Sequence, residues 1–243
     1  MSSMRLSPGY QGIFRRVGLD AEAIFEHPDI KVWRSIPERE NATLDATDDA
    51  GRPIRLHIKR YRPVRARQSP AEQEAAGHQL LVSHDIPTAP LVAWGRLDDG
   101  RSFIILEDLA GYQAADKLLD AGAPFAAVLE PTADLAARLH NAGLHHRDLY
   151  LCHFFAKVEQ TRTQVRLIDA GRVRKLPWLW RTRWIVKDLA QFWYSTTSLA
   201  IADDQRLAWL GRYAQKRQIG DTAPLLRRIR RKSDWIARHD AQL

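Results

Sequence analysis

Apolar and polar residues alternate from Ile54 to Lys59, with Ile54, Leu56 and Ile58 on one side and Arg55, His57 and Lys59 on the other. A period of two marks a half-buried strand. Lys31-Val32-Trp33 carries similar β-favouring residues, and Asp48-Asp49-Ala50-Gly51-Arg52-Pro53 between the two segments has hairpin-loop chemistry. Ser69-Pro70-Ala71-Glu72 predicts a helix start: serine caps, proline suits the first turn, and Glu72 can return a bond to the cap backbone. This helix is expected to run to about His84 and to give way at Ile86-Pro87-Thr88-Ala89-Pro90. Residues 91–95 and 102–106 read as two more strands around the turn Asp98-Asp99-Gly100.

From Glu107-Asp108-Leu109 onward the period becomes helical. Residues 131–141 predict a helix with Leu135 and Leu139 on one face, closed by Gly143. Ile185, Leu189, Phe192 and Trp193 form another apolar stripe, and residues 225–237 read as a very basic helix. There is no internal repeat or low-complexity linker. The expected class is α+β: a strand-rich lobe with one helix over residues 1–106, then a mainly helical lobe over residues 107–243.

The chain has 243 residues, 45% of them hydrophobic and 27% charged, as in ordinary globular proteins. Its one cysteine, Cys152, excludes an intrachain disulfide and a cysteine-based zinc cluster. No apolar run is long enough for a transmembrane helix. Residues 1–9 lack the apolar core of a secretory signal, so a cytoplasmic location is expected. The net charge of +8 favours phosphate-bearing partners. No zinc-finger, helix-turn-helix or aromatic RNA-binding signature accompanies it, so nucleic acid is not expected.

The densest chemistry lies in Leu144-His-His-Arg-Asp-Leu-Tyr-Leu-Cys-His-Phe154 and in Val165-Arg-Leu-Ile-Asp-Ala-Gly171. Asp148, on a loop after a helix, can accept a proton from a hydroxyl nucleophile or orient it. Asp169, at the end of an apolar run, can hold a divalent metal on nucleotide phosphates, and Gly171 frees the backbone beside it. Lys59 on its strand can reach phosphate oxygens if an acidic helix residue holds it in place. Glu72 and Glu74 both qualify, and Glu74 is preferred because Glu72 already has a capping role.

His146-Arg147-Asp148 matches the catalytic loop of protein kinases, and Asp169-Ala170-Gly171 stands where they carry Asp-Phe-Gly. The whole string from His146 to Phe154 strongly resembles the lipopolysaccharide core heptose kinase family, the WaaP/RfaP and InaA-like group. So do Ile86-Pro87-Thr88, Leu167-Ile168-Asp169 and Lys187-Asp188-Leu189-Ala190 followed by Tyr194-Ser195. The resemblance covers residues 31–198. It implies a bilobal protein-kinase-like fold using ATP and Mg2+ to phosphorylate a sugar hydroxyl, typically a heptose of the lipopolysaccharide inner core, at the cytoplasmic face of the inner membrane.

By that resemblance Asp148 is the catalytic base or the residue that orients the nucleophile, within a loop completed by His146 and Arg147, and His146 packs against the metal-binding loop. Asp169 is the metal ligand, Lys59 with Glu74 holds the phosphates, and Glu107 to Leu109 form the hinge that meets adenine. His153 stands where protein kinases carry a metal-binding asparagine. It is a second metal candidate, although histidine suits magnesium poorly, and it could instead orient Asp148 or touch phosphate. Asp188 is expected to bond the catalytic-loop backbone. No glycine-rich loop precedes Lys59; the corresponding stretch, residues 35–41, has no glycine. The short span from Asp169 to Asp188 disfavours a regulated protein kinase. The alternatives are a small-molecule or protein kinase of the same fold, or a catalytically inactive kinase-like binding module. Trp178, Trp180 and Trp184 among arginines, and the run from Arg227 to Lys232, read either as core and solvated surface or as contacts to glycolipid and anionic membrane.

Overall fold

Residues 2–160 and 162–240 are described by a computed structural model. The first residue of the expected N-terminal lobe, Thr161 and the last three residues of the expected C-terminal lobe lie outside the described residues. The chain divides into two units, residues up to Gln79 with Ala89–Ala110, and Leu80–Thr88 with the residues from Gly111 on.

In the first unit the strands are β1 (Ser3–Leu6), β2 (Lys31–Ile36), β3 (Arg39–Thr47), β4 (Pro53–Tyr61), β5 (Leu91–Arg96) and β6 (Ser102–Glu107). They form one antiparallel sheet in the order β1-β5-β6-β4-β3-β2. Three helices accompany them: α1 (Gln11–Val17), α2 (Ala23–Glu26) and α3 (Pro70–Ser83). The alternation in β4 divides the packing. Leu56 and Ile58 join Leu44, Val92 and Phe103 under Ile13, Phe14 and Ile24 of α1 and α2. Tyr61 packs instead with Ile104 and with Ala71 and Ala75 of α3. Lys59 and Tyr61, two residues apart, therefore belong to the side of β4 that meets α3.

The strand pairing differs from the sequence reading in one respect. The hairpin at residues 48–53 joins β4 to β3 rather than to the Lys31 segment, and β3 pairs with both neighbours. β3 has only Ala42 and Leu44 as buried apolar residues, so its pattern is faint. Likewise α1 and α2 lie ahead of Lys31, where the sequence reading places no element. The cap at α3 forms as expected: Ser69 N–H donates to Glu72 Oε2 at 2.6 Å, and Glu72 N–H donates to Ser69 Oγ at 3.2 Å.

The second unit contains β7 (Gln113–Ala114), α4 (Ala115–Asp120), α5 (Ala126–Asn141), β8 (Leu144–His145), β9 (Phe154–Val158), β10 (Thr163–Leu167), β11 (Arg174–Lys175), α6 (Arg181–Ser195), α7 (Asp203–Lys216) and α8 (Ala223–Asp240). The helix read as starting at Pro131 starts at Ala126, with Pro131 inside it. Proline removes only its own donor there, and burial of Val128, Leu135 and Leu139 holds the helix together. In the core Phe192 stacks on Trp209 at 3.9 Å, and Trp209 Nε1 donates to Thr132 Oγ1 at 3.0 Å. The pairs β10–β9 and β11–β8 are antiparallel. They bring the loop between β8 and β9 beside the loop between β10 and β11, where Ile168 N–H donates to His153 O at 3.0 Å. Among the described residues no helix is long and apolar enough to cross a membrane.

Gly95 of β5 is a point of close approach. A Cβ there would lie 2.2 Å from Ser3 O and 2.8 Å from the Phe103 ring. Gly95→Ala is expected to loosen β1 and cost about 1–3 kcal/mol, the usual range for overpacking. Urea denaturation checks this, and an unchanged midpoint refutes it.

Candidate active site

In the first unit Lys59 Nζ donates to Glu74 Oε1 at 2.6 Å, and Tyr61 Oη donates to Glu74 Oε2 at 2.5 Å. Glu74 is buried, and its carboxylate is held from both sides by residues of one strand. Glu72 is occupied at the α3 cap. A buried acid bonded to a lysine fixes the direction of the ammonium without neutralising the approach to it. In the segment read as the hinge, Glu107 N–H donates to Pro90 O and Asp108 N–H to Arg55 O, both at 2.9 Å. The Glu107 carboxylate accepts a bond from Tyr10 Oη at 2.5 Å, and Asp108 lies 2.8 Å from His57 Nε2. These side chains are thus engaged with their own unit. Leu109 follows as an uncharged position in the same segment.

In the second unit the loop after β8 is organised from below. Asp188 of α6, with no exposed surface, accepts His146 N–H at 2.7 Å and Arg147 N–H at 2.8 Å, one on each carboxylate oxygen. Burial alone would raise its pKa, but the bonds from His140 and from the His146 amide hold it below the usual carboxylate value. Lys187 Nζ and Gln191 Nε2 donate to Arg147 O at 2.7 and 3.2 Å. Gln191 Oε1 accepts Leu149 N–H at 3.2 Å, and Ser195 Oγ accepts Leu151 N–H at 2.9 Å. One face of α6 therefore caps the loop backbone residue by residue. Arg147 takes a left-handed conformation (φ 69°), and its guanidinium lies 4.6 Å above the Trp184 ring. His146 is buried, and its Nε2 lies 3.0 Å from Ile168 O, tying the loop to the segment that carries Asp169.

Asp148, His153 and Asp169 converge, with potential ligand atoms all within 4.8 Å of one another. His153 Nδ1 donates to Asp148 O at 2.6 Å, which turns Nε2 towards Asp169 Oδ2 at 3.8 Å. Burial opposes charge on this ring, but the Cys152 sulfur, the Asp148 carbonyl and the Asp169 carboxylate outweigh it and raise the pKa to about 9. Asp169 itself is left-handed (φ 61°). Asp148 Oδ1 lies 3.8 Å from Arg172 Nη1 and 3.4 Å from Gln191 Nε2. Two half-exposed carboxylates facing each other, one with an imidazolium beside it, offer oxygen donors to a hard cation or accept a proton from a hydroxyl.

All the residues marked from the sequence are placed, Lys59, Glu74, Glu107 and Leu109 in the first unit and His146, Arg147, Asp148, His153 and Asp169 in the second. Gln191 and Arg172 were not marked, nor was Lys187 as a bond to the loop. Their signal was present for three α6 residues: Lys187, Gln191 and Ser195 recur every four residues beside the apolar stripe of Ile185, Leu189, Phe192 and Trp193.

The family model described as the lipopolysaccharide kinase (Kdo/WaaP) family matches residues 63–213. That span includes every marked residue except Lys59. The lipopolysaccharide core heptose(I) kinase WaaP of Pseudomonas aeruginosa is 30% identical over 117 residues, 45% of this chain and 43% of that protein. The lipopolysaccharide core heptose(I) kinase WaaP of Escherichia coli K12 is 31% identical over 84 residues, 32% of this chain and 29% of that protein. The chain thus matches less than half the length of either relative.

Asp188→Ala would leave two buried amides and His140 without their acceptor. It is expected to destabilise the fold by about 3–5 kcal/mol, the usual cost of breaking a buried charged network. A loss below about 1 kcal/mol in urea denaturation contradicts this account. His145 is buried, and chiefly for that reason its pKa falls from 6.5 to about 4. The unfolded chain therefore takes up a proton at His145 that the folded chain refuses. Its contribution is complete above pH 6.5 and is lost as pH falls towards 4. His145→Gln should flatten that part of a stability–pH profile; an unaltered slope argues against it.

Proposed function

The chain belongs to the lipopolysaccharide kinase (Kdo/WaaP) family, and on that premise we propose that it transfers the γ-phosphoryl group of ATP to a sugar hydroxyl of the lipopolysaccharide core, a heptose in the simplest case. The observation that carries the reading is the convergence of Asp148, His153 and Asp169 on a loop whose backbone is held by Asp188.

Asp148 accepts the hydroxyl proton as the sugar oxygen bonds to the γ-phosphorus. The bond from that phosphorus to the bridging oxygen breaks, and ADP leaves with the electron pair. Lys59, aimed by Glu74, takes the charge on the α- and β-phosphates of a nucleotide whose adenine lies along the expected hinge, residues 107–109. The oxygen donors of Asp148 and Asp169 suit Mg2+, with Asp169 as its principal ligand. The bound ion supplies charge neutralisation at the phosphates. His153 has Nδ1 committed to the Asp148 carbonyl and carries charge, so its assigned role is to hold the two acids in register, with ligation as the rival role. His146 and Arg147 shape the loop, the first through Ile168 O and the second through its carbonyl and its ring contact with Trp184. Asp188 is a positioning residue. Positioning and electrostatics together supply the rate.

The turn at Trp178–Trp180 exposes Trp178 by 87% and Trp180 by 58%, which corrects any reading of these two as core. The exposure supports peripheral contact with an anionic inner membrane, where a lipid-linked acceptor would be met.

Incubation with labelled ATP, Mg2+ and extracted lipopolysaccharide is expected to label the glycolipid, and peptides and free sugars far less. Asp148→Asn and Asp169→Asn should each lower the rate by at least about 100-fold, the scale of a lost general base or metal ligand. Absence of label from the glycolipid, or equal labelling of peptides, overturns the reading. An inactive binding module would bind nucleotide and leave every acceptor unlabelled.

A further inference from the structure

α8 repeats basic and aromatic residues at helical spacing. Arg228, Arg231, Lys232, Trp235 and Arg238 stand at i, i+3, i+4, i+7 and i+10 and share one face, while Ile229, Ser233 and Ile236 occupy the buried face. That basic face turns to α6, and between the two helices lies a groove of about 740 Å3. The volume falls within the range of small-ligand sites, about 300–1,000 Å3. Six cations line it: Arg183 and Lys187 from α6, and Arg228, Arg231, Lys232 and Arg238 from α8. No carboxylate lines it, and among the described residues none of the six forms a salt bridge.

Three of the six cations lie against tryptophan rings rather than against acids. Lys232 Nζ sits 3.3 Å from the centre of the Trp235 ring, and the opposite wall has Arg183 and Lys187 at 5.8 and 5.7 Å from Trp184. Such contacts orient positive charge without forming an ion pair. Burial, and then the charge of Arg183, lower the Lys232 pKa, and burial followed by Arg172 lowers that of Lys187. Crowded unpaired cations are costly unless an anion arrives between them.

Two residues of the groove wall also contact the loop that carries Asp148. Trp184 stacks on the Arg147 guanidinium, and Lys187 bonds the Arg147 carbonyl one residue before Asp148. A molecule in the groove would therefore press on the two side chains that shape the loop presenting Asp148.

We propose that the groove between α6 and α8 binds the phosphate-bearing saccharide head group of the acceptor, so that a neighbouring hydroxyl is delivered to Asp148. Arginine forks and lysines suit doubly charged phosphate oxygens, and cations from two facing helices suit a ligand with more than one phosphate. Concavity and the link to the catalytic loop favour the acceptor over a flat lipid surface. The identity of the saccharide as acceptor rests on the kinase reading above; the anion site itself does not.

The test titrates the full chain with deacylated lipopolysaccharide, with the same saccharide after chemical removal of its phosphates, and with phosphatidylglycerol vesicles. Arg228 and Arg231 are exposed, so the double variant Arg228→Glu with Arg231→Glu should fold, with the melting transition as a check. Should that variant unfold, Lys232→Gln keeps a side chain against Trp235 and removes one charge. Either the variant or dephosphorylation is expected to weaken saccharide binding by about tenfold or more, the scale of lost charge-assisted bonds. Unchanged affinity in both cases overturns the proposal. So does charge-sensitive capture of vesicles without binding of the deacylated saccharide. Label transfer in the same samples separates the two readings. Charge-sensitive saccharide binding without transfer sinks the kinase reading and keeps the groove; transfer with unaltered saccharide affinity does the reverse.

Discussion

Asp188 lies with no exposed surface beneath the loop that carries Asp148, and each of its oxygens takes one backbone amide of that loop. The arrangement resolves two problems at once. A buried carboxylate needs donors to remain charged, and an irregular loop needs acceptors for amides that no strand satisfies. Arg147 can then hold a left-handed backbone, at a cost on the order of 1–3 kcal/mol for a non-glycine residue. The turn of the chain at that residue leads directly to Asp148. Asp169 has the same kind of backbone, supported by the His146 imidazole on Ile168 O. Strain is thus concentrated beside the two acids, and buried polar bonds hold it there.

The same helix joins two kinds of chemistry. The face of α6 with Lys187, Asp188, Gln191 and Ser195 supports the loop, while Arg183, Trp184 and Lys187 line the basic groove facing α8. Lys187 belongs to both. The net charge of +8 is consequently not spread at random: a substantial share faces one concavity without acids among its lining residues. An excess of charge read from composition alone would serve nucleic acid, membrane or glycan equally well. Its location beside the loop that carries Asp148 is what the proposed glycan contact rests on.

Much was legible in the sequence because the signals were local. The period of two in β4 placed Lys59 on the face towards α3, and the cap at Ser69 and Glu72 left Glu74 as the acid for that lysine. The order His146-Arg147-Asp148, then His153, then Asp169 marked the second cluster through its resemblance to kinases. β3 was missed because its buried residues are small and few, so pairing on both sides rather than its own pattern makes it a strand. The first turn and a half of α5 was missed because Pro131 reads as a start, although burial of Val128 holds a helix already begun at Ala126. The two short helices near the N-terminus gain their stability from covering the sheet, which no helical period within seven residues can announce.

By itself the sequence determined the candidate residues for the chemistry, the periods of the strands and helices that carry them, and the family to which they point. These depend on neighbours within a few positions, where backbone geometry fixes direction. Tertiary structure decided how the side chains are used. His153 gives Nδ1 to the Asp148 carbonyl and turns Nε2 to Asp169, Tyr61 joins Lys59 on Glu74, and α8 brings its basic face against α6. Each of these outcomes depends on residues far apart in the chain that share one buried space. There the need to satisfy every polar group, rather than local propensity, selects the partner.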